Sequence, residues 1–211
     1  MKLGAVLVMN PKTGKIMAMA NYPPYDPAAY SKVEDSSVYN NNTTTMAYEN
    51  GSVIKSFTMA MGINEGVANA NTRYYNTDSI KIEDITINNA ALGYTGSITL
   101  QTAMNYSLNT GMVTIGKLLG GGSLNSTARN KIYDYFHNRF GLGRKTGIVV
   151  LESQGSLVSP KDAEGNAVRY SNMIFGQGMA TTMLQTSTAF SALVNGGTLY
   201  KPSIVAGTVD E

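Results

Sequence analysis

Short apolar runs alternate with longer polar ones along this chain, and their spacing predicts most of its elements. Ala5-Val6-Leu7-Val8-Met9 and Lys15-Ile16-Met17-Ala18-Met19-Ala20 flank Asn10-Pro11-Lys12-Thr13-Gly14. Pro and Gly at those places turn the backbone, so the pair predicts a β-hairpin. Asn21-Tyr22-Pro23-Pro24-Tyr25-Asp26-Pro27 then leaves as extended, proline-stiffened chain. The stretch from Ser31 to Thr45 is rich in Asn, Ser and Thr with little periodicity, and reads as a mobile surface loop. Beyond Gly51, Ile54, Phe57 and Met61 recur at helical spacing, predicting a helix that stops near Glu65-Gly66. Asn71 to Ile87 is polar and irregular, with room for short strands.

Ser97-Ile98-Thr99-Leu100 caps and opens a further helix that leads into Ser107-Leu108-Asn109. Met112 to Leu119 resumes the helical pattern until Gly120-Gly121-Gly122 ends it. Asn125 to Phe140 is amphipathic, with Ile132, Tyr135, Phe136 and Phe140 near one face. Ser153 to Arg169 reads as loop, and Met183 to Val194 as a last helix closed by Asn195-Gly196-Gly197. Neither a repeat nor a linker interrupts the chain, so residues 1–211 are expected to form one domain.

Composition narrows the chemistry. With 43% hydrophobic residues among 211, a sizeable core is expected. A formal charge of +2 argues against a nucleic-acid or membrane-surface role. Absence of Cys excludes disulfides, Cys-zinc sites and thiol catalysis. His137 is the only histidine, so a His-based metal cluster is excluded, and its polar helical setting points to packing rather than catalysis. No metal or cofactor is expected. No run approaches the length of a membrane span and Met1 opens no signal peptide. The strand pattern directly after Lys2-Leu3-Gly4 suits the inside of a larger protein.

One tetrad stands out. Ser52-Val53-Ile54-Lys55 lies where a helix should begin, and three residues along a helix is nearly one turn, placing the Lys55 amine over the Ser52 hydroxyl. A serine is a weak nucleophile until something takes its proton, and an amine kept neutral by desolvation can do so. First-turn N–H groups would face an oxyanion formed there. A chain with this much Ser and Lys carries about one such tetrad by chance, so its company matters. Ser107-Leu108-Asn109 offers a hydroxyl and a carboxamide at i and i+2 in a turn between helices: one to relay a proton, the other to hold a substrate amide. Ser123-Leu124-Asn125 repeats the pattern, but Gly121-Gly122 before it makes it read as a loop and helix cap.

With these motifs in order, the chain resembles the transpeptidase domain of class B penicillin-binding proteins. Gly4-Ala5-Val6 through Ala20 looks like that family's opening hairpin, and Tyr22-Pro23 to Asp26-Pro27 like the segment leaving that hairpin. Tyr48-Glu49 to Lys55 resembles its nucleophile segment and Asn105-Tyr106-Ser107-Leu108-Asn109-Thr110-Gly111 its S-x-N segment. Phe140-Gly141-Leu142-Gly143 with Thr146-Gly147-Ile148 and Glu152 looks like its glycine-rich tract. Phe175-Gly176-Gln177-Gly178 to Gln185, then Asn195 to Pro202, is similar to its last helix and exit.

The resemblance implies an α+β fold, an antiparallel sheet sandwiched by helices. It implies a serine D,D-transpeptidase in which Ser52 attacks the penultimate D-Ala carbonyl of a stem peptide, Lys55 accepts its proton, Ser107 passes a proton to the leaving amine and Asn109 binds the donor-strand amide. Peptidoglycan stem peptides ending in D-Ala-D-Ala, β-lactam antibiotics that imitate them, and cell-division or elongation proteins are the implied partners. The implied location is the extracytoplasmic face of the bacterial plasma membrane.

Departures from the family pattern shape further expectations. Asn50 stands where the family usually has Pro, and Met183 where Pro usually follows Thr182. Lys145-Thr146-Gly147 spells the family's third motif but lies inside the glycine-rich tract, upstream of the final helix, and reads as a decoy. The functional copy in the family comes after the segment matching Gly196-Gly197 to Pro202. The 211 residues are therefore expected to lack that strand and those after it, leaving the fold incomplete, the Ala5–Met9 edge open and catalysis impaired. Two other readings stand beside this one. A serine β-lactamase relative would need a deacylating base, for which Glu152 and Glu164 are the nearby carboxylates. A non-catalytic interaction module of cell-wall assembly would use the fold as scaffold.

Overall fold

A computed structural model describes residues 3–207. The chain divides into two compact units, one of Met1–Tyr48, Arg139–Ser156 and Ala180–Glu211, the other of Glu49–Asn138 and Leu157–Met179.

In the first unit, β1 (Gly4–Met9) and β2 (Ile16–Tyr22) form the hairpin that Pro11 and Gly14 predict. They pair antiparallel from Gly4 opposite Tyr22 to Met9 opposite Ile16, with a register shift between Val8 and Met9. Among the described residues β1 pairs with β2 alone. The segment expected to be a mobile loop is instead built from capped turns. Asp26, Asp35 and Asn41 each accept a hydrogen bond from the N–H two residues on, opening 3₁₀ turns at Pro27–Lys32 and Ser36–Tyr39 and the short helix α1 (Asn42–Thr45). Polar composition hid this order, because Asx caps satisfy the backbone without any apolar rhythm. Thr43 and Thr44 are fully buried, and the Thr44 hydroxyl donates to Leu151 O at 2.8 Å. β3 (Ala47–Tyr48) pairs antiparallel with β8 (Thr181–Thr182), from which α7 (Met183–Val194) departs, capped by the Thr182 side chain. Both α1 and α7 pack on the hairpin.

The second unit is built round one helix. A 3₁₀ turn at Gly51–Ile54 runs into α2 (Lys55–Asn64). Strands β4 (Arg73–Asn76), β5 (Ser79–Ile82), β6 (Ile85–Asn88) and β7 (Gly96–Thr99) pair as β4–β7 and β5–β6, both antiparallel. The irregular polar tract is thus more strand-rich than its sequence promises. Thr99, in β7, also caps α3 (Leu100–Asn105). α4 (Asn109–Leu118) buries Met112, Val113 and Ile115, and α2, α3, β4, β5, β6 and α5 (Ser126–Tyr133) all pack against it. Its approach to α3 is too close for a side chain at Gly111, whose added Cβ would sit 2.4 Å from that of Ala103. After α5 the helix widens into a π-helical turn over Asp134–Arg139, and α6 (Ala167–Met173) comes next. Ile54, Phe57, Met61, Ile132 and Phe136, predicted from spacing, are fully buried.

Candidate active site in the second unit

The nucleophile segment takes its shape from two backbone features. Gly51 adopts a left-handed conformation, φ +56°, which reverses the chain into the 3₁₀ turn carrying Ser52. Apolar burial then decides which face of α2 turns inward: Ile54, Phe57 and Met61 go into the core, and Lys55, next in sequence to Ile54, is carried in with them at 3% exposure. Its amine is desolvated, and that burial lowers its pKa from 10.5 to about 8.

The partner that meets this amine comes from the link between α3 and α4. Ser107 N donates to Met104 O at 3.2 Å and Leu108 N to Ala103 O at 2.8 Å. This crossed pair is a Schellman motif, with Tyr106 as C-cap and Ser107 in the next position. That position is left-handed and normally taken by glycine; here a serine holds φ +54°. The strained turn places its hydroxyl between the other two groups. Lys55 Nζ donates to Ser107 Oγ at 2.9 Å and to Ser107 O at 2.5 Å, and Ser107 Oγ donates to Ser52 Oγ at 2.9 Å.

Ser52, Lys55 and Ser107 therefore form one connected line. The helical spacing of Ser52 and Lys55 suggests a direct contact, but the lysine's hydrogen bonds go to Ser107, and the two hydroxyls complete the path. Asn109 opens α4, and its hydrogen bond runs from Nδ2 to Asn88 O at 2.8 Å. This ties one of the two N–H donors of the amide to β6 and leaves Oδ1 as an acceptor it can offer.

A buried polar cluster fastens this start of α4. Asn89 Oδ1 accepts from Thr110 N at 3.1 Å, Asn76 Oδ1 accepts from Thr110 Oγ1 at 2.9 Å, and Tyr74 OH lies 3.1 Å from Thr110 Oγ1. Since Thr110 gives its proton to Asn76, Tyr74 is the donor in that last contact. Asp78 accepts from Asn76 Nδ2 and from Gly93 N, both at 2.9 Å, and the Gly93 bond leads the effects that lower its pKa. Nothing in the spacing of these asparagines marks them; only their pairing across the strands does.

The second S-x-N tripeptide is a helix cap. Asn125 Oδ1 accepts from Ala128 N at 3.1 Å, and Leu124 is buried. Asn125→Ala is expected to cost about 1 kcal/mol of stability, which urea unfolding against the wild type checks. Lys145-Thr146-Gly147 belongs to the first unit, where Glu152 accepts from Thr146 N at 2.8 Å, Thr146 Oγ1 at 2.9 Å and Gly147 N at 2.7 Å. His137 stacks on Tyr133 with ring centroids 4.7 Å apart. No group of three or more metal-ligating side chains exists among the described residues.

At the start of α2, on an α+β fold, a serine is thus joined through a second serine to a desolvated lysine. Residues 4–211 match the penicillin binding protein transpeptidase domain, and the chain belongs to that family, of the class B type. It is 34% identical over 206 residues to stage V sporulation protein D of Bacillus subtilis, covering 97% of this chain and 30% of that protein. Against a peptidoglycan D,D-transpeptidase FtsI homolog of Mesostigma viride it is 27% identical, covering 99% and 35%. The chain thus spans about a third of the length of these curated relatives. Among solved structures, a peptidoglycan glycosyltransferase from Burkholderia ambifaria superposes with a TM-score of 0.81 at 21% identity, covering all of this chain and 58% of that one. The transpeptidase domain of Burkholderia pseudomallei penicillin-binding protein 3 gives 0.80 at 20%, covering 98% and 54%. These likenesses establish the fold.

Proposed function

We propose that this chain is the acylating part of a peptidoglycan D,D-transpeptidase, with Ser52 as nucleophile, Lys55 as base, Ser107 as proton relay and Asn109 as the substrate-amide acceptor. The reading rests on one observation, the unbroken line from Lys55 Nζ through Ser107 Oγ to Ser52 Oγ, each step 2.9 Å. With the lysine neutral, the two contacts run the other way. Ser52 O–H donates to Ser107 Oγ, and Ser107 O–H donates to Nζ, because hydroxyl protons rotate freely between partners. Attack by Ser52 Oγ on the penultimate D-Ala carbonyl then moves one proton along the line to Lys55. The Ser52 N–H, in the first turn, stabilises the oxyanion. As the tetrahedral species collapses, the C–N bond breaks and Ser107 hands a proton, resupplied by Lys55, to the departing amine. An ester on Ser52 remains, which an amine of a second stem peptide attacks to make the cross-link.

No described residue is assigned as the second oxyanion donor or as the cation for the substrate carboxylate. A site with a single oxyanion donor would acylate about a hundred- to a thousand-fold more slowly than one with both. Both units are proposed to belong to one transpeptidase domain, since the family match runs through them. β-Lactams, stem peptides and division or elongation proteins are the proposed partners, at the outer face of the plasma membrane. No helix among the described residues is long and apolar enough to cross a membrane.

Little favours a β-lactamase. Glu164 pairs with Arg169 at 2.8 Å, and Glu152 spends its carboxylate on the Thr146-Gly147 backbone, so neither is disposed to activate a deacylating water. Incubation with a fluorescent penicillin is the test. Stable labelling of the wild type that vanishes in Ser52→Ala is expected. Turnover of the drug without stable label would indicate a β-lactamase, and absence of both would leave a scaffold or a disabled transpeptidase site.

A further inference from the structure

The Ser52 turn is held in place by a loop far away in sequence. Gly176 lies against it with φ +90°, and the Cβ of any larger residue there would fall 1.9 Å from Gly51 O. This close passage lets Gly51 N donate to Gly176 O at 3.1 Å. Two residues on, Gly178 N donates to Glu49 Oε1 at 2.7 Å. Behind them, the buried Thr58 hydroxyl on α2 donates to Ile174 O at 2.7 Å, and Arg169 Nη1 donates to Gly178 O at 3.3 Å. The segment 174–178 is thus joined to residue 49 before the nucleophile, to residue 51 beside it and to the helix after it.

We propose that Glu49 and Gly176 are positioning residues for acylation, setting the angle at which the Gly51–Ser52 peptide enters the 3₁₀ turn. The inference rests on Ser52 being the nucleophile. The Gly51–Ser52 peptide carries the Ser52 N–H assigned to the oxyanion, and rotating it moves both that donor and the direction in which Oγ meets Ser107. Gly51 has no side chain to resist such a rotation, and its left-handed φ makes it the softest joint in the segment. External contacts at residues 49 and 51 therefore supply the stiffness that local sequence does not. Glu49 acts here as a hydrogen-bond acceptor and not as a charge, so a neutral side chain of the same shape should serve.

The test compares Glu49→Ala, Glu49→Gln and Gly176→Ala in the intact protein, with penicillin acylation rates expressed per folded molecule. Hydrogen exchange over the peptide spanning residues 48–57 is measured in parallel. Glu49→Ala should acylate about ten-fold more slowly and Gly176→Ala on the order of a hundred-fold. Both should lose protection at Gly51, while Glu49→Gln stays near wild type in rate and protection. In the Glu49 variants the pH midpoint set by Lys55 should not move. Glu49→Ala acylating at the wild-type rate with Gly51 still protected would overturn the proposal, as would Glu49→Gln failing as badly as Glu49→Ala. Should Gly176→Ala not fold, the Glu49 pair still decides. A wild-type protein that takes no penicillin would defeat the nucleophile assignment, while exchange at Gly51 would still show whether the brace exists.

Discussion

Lys55→Met is expected to lower the acylation rate by roughly a thousand-fold while leaving a folded protein with Ser52 and Ser107 in place. Methionine matches the lysine stem in length and apolar character and fills the same buried space; what disappears is the proposed base. The wild-type pH profile supplies the signature. Desolvation lowers the Lys55 pKa to about 8, so at pH 7 roughly a tenth of the molecules carry the neutral amine. The acylation rate should rise with pH, reach half its plateau near 8 and level off above. Lys55→Met should show a low rate without that rise.

The same shift predicts a stability change of defined sign. The folded lysine loses its proton near pH 8, whereas the unfolded one keeps it until about 10.5. Between those values the unfolded state holds more protons, so the Lys55 contribution to stability grows as pH rises. Below pH 8 the burial of an ammonium weighs fully against the fold; by 10.5 that cost is gone. Urea unfolding at a series of pH values should show the wild type gaining on Lys55→Met across this window. A difference independent of pH would mean that the amine is not buried as a charge at all.

Ser107→Gly is expected to make the protein more stable and nearly inactive. Glycine holds φ +54° without the strain of roughly 1–2 kcal/mol that a side chain incurs there, so the Schellman turn should tighten by about 1 kcal/mol. The path between Lys55 and Ser52 loses its middle member, and acylation should fall about a hundred- to ten-thousand-fold. Ser107→Ala separates the two effects: it is equally inactive, but keeps the Cβ and gains no stability. Thermal unfolding and acylation kinetics on the pair test this. If Ser107→Gly were less stable than Ser107→Ala, the turn would not be strained, and nothing would mark the serine as kept there for its hydroxyl.

The strain at Ser107 also separates the S-x-N tripeptide proposed to act in catalysis from its double. Both Ser107-Leu108-Asn109 and Ser123-Leu124-Asn125 lead into a helix with a buried leucine. At the second copy the asparagine caps its own helix through Ala128 N. At the first, the serine occupies a costly backbone conformation and spends its hydroxyl on residues more than fifty positions upstream. Strain held against a distant partner is the support for proposing the first copy as the working one.

Sequence by itself determined whatever depends on neighbours a few residues apart. Pro11 and Gly14 turn the hairpin, the spacing of Ile54, Phe57 and Met61 sets the buried face of α2, and Ser52 and Lys55 share one turn because the helix has a fixed pitch. Motif order across the chain was enough to place it in its family. Tertiary structure alone decided the rest. It made ordered turns of the polar segment before residue 45, gathered Asn76, Asn89 and Thr110 into one buried cluster, and sent the lysine to Ser107 rather than straight to Ser52. It also brought Gly176 against Gly51. The physical reason is range: periodicity and turn chemistry act over single turns of chain, while desolvation of Lys55 and the path to its serine exist only once segments remote in sequence are packed together.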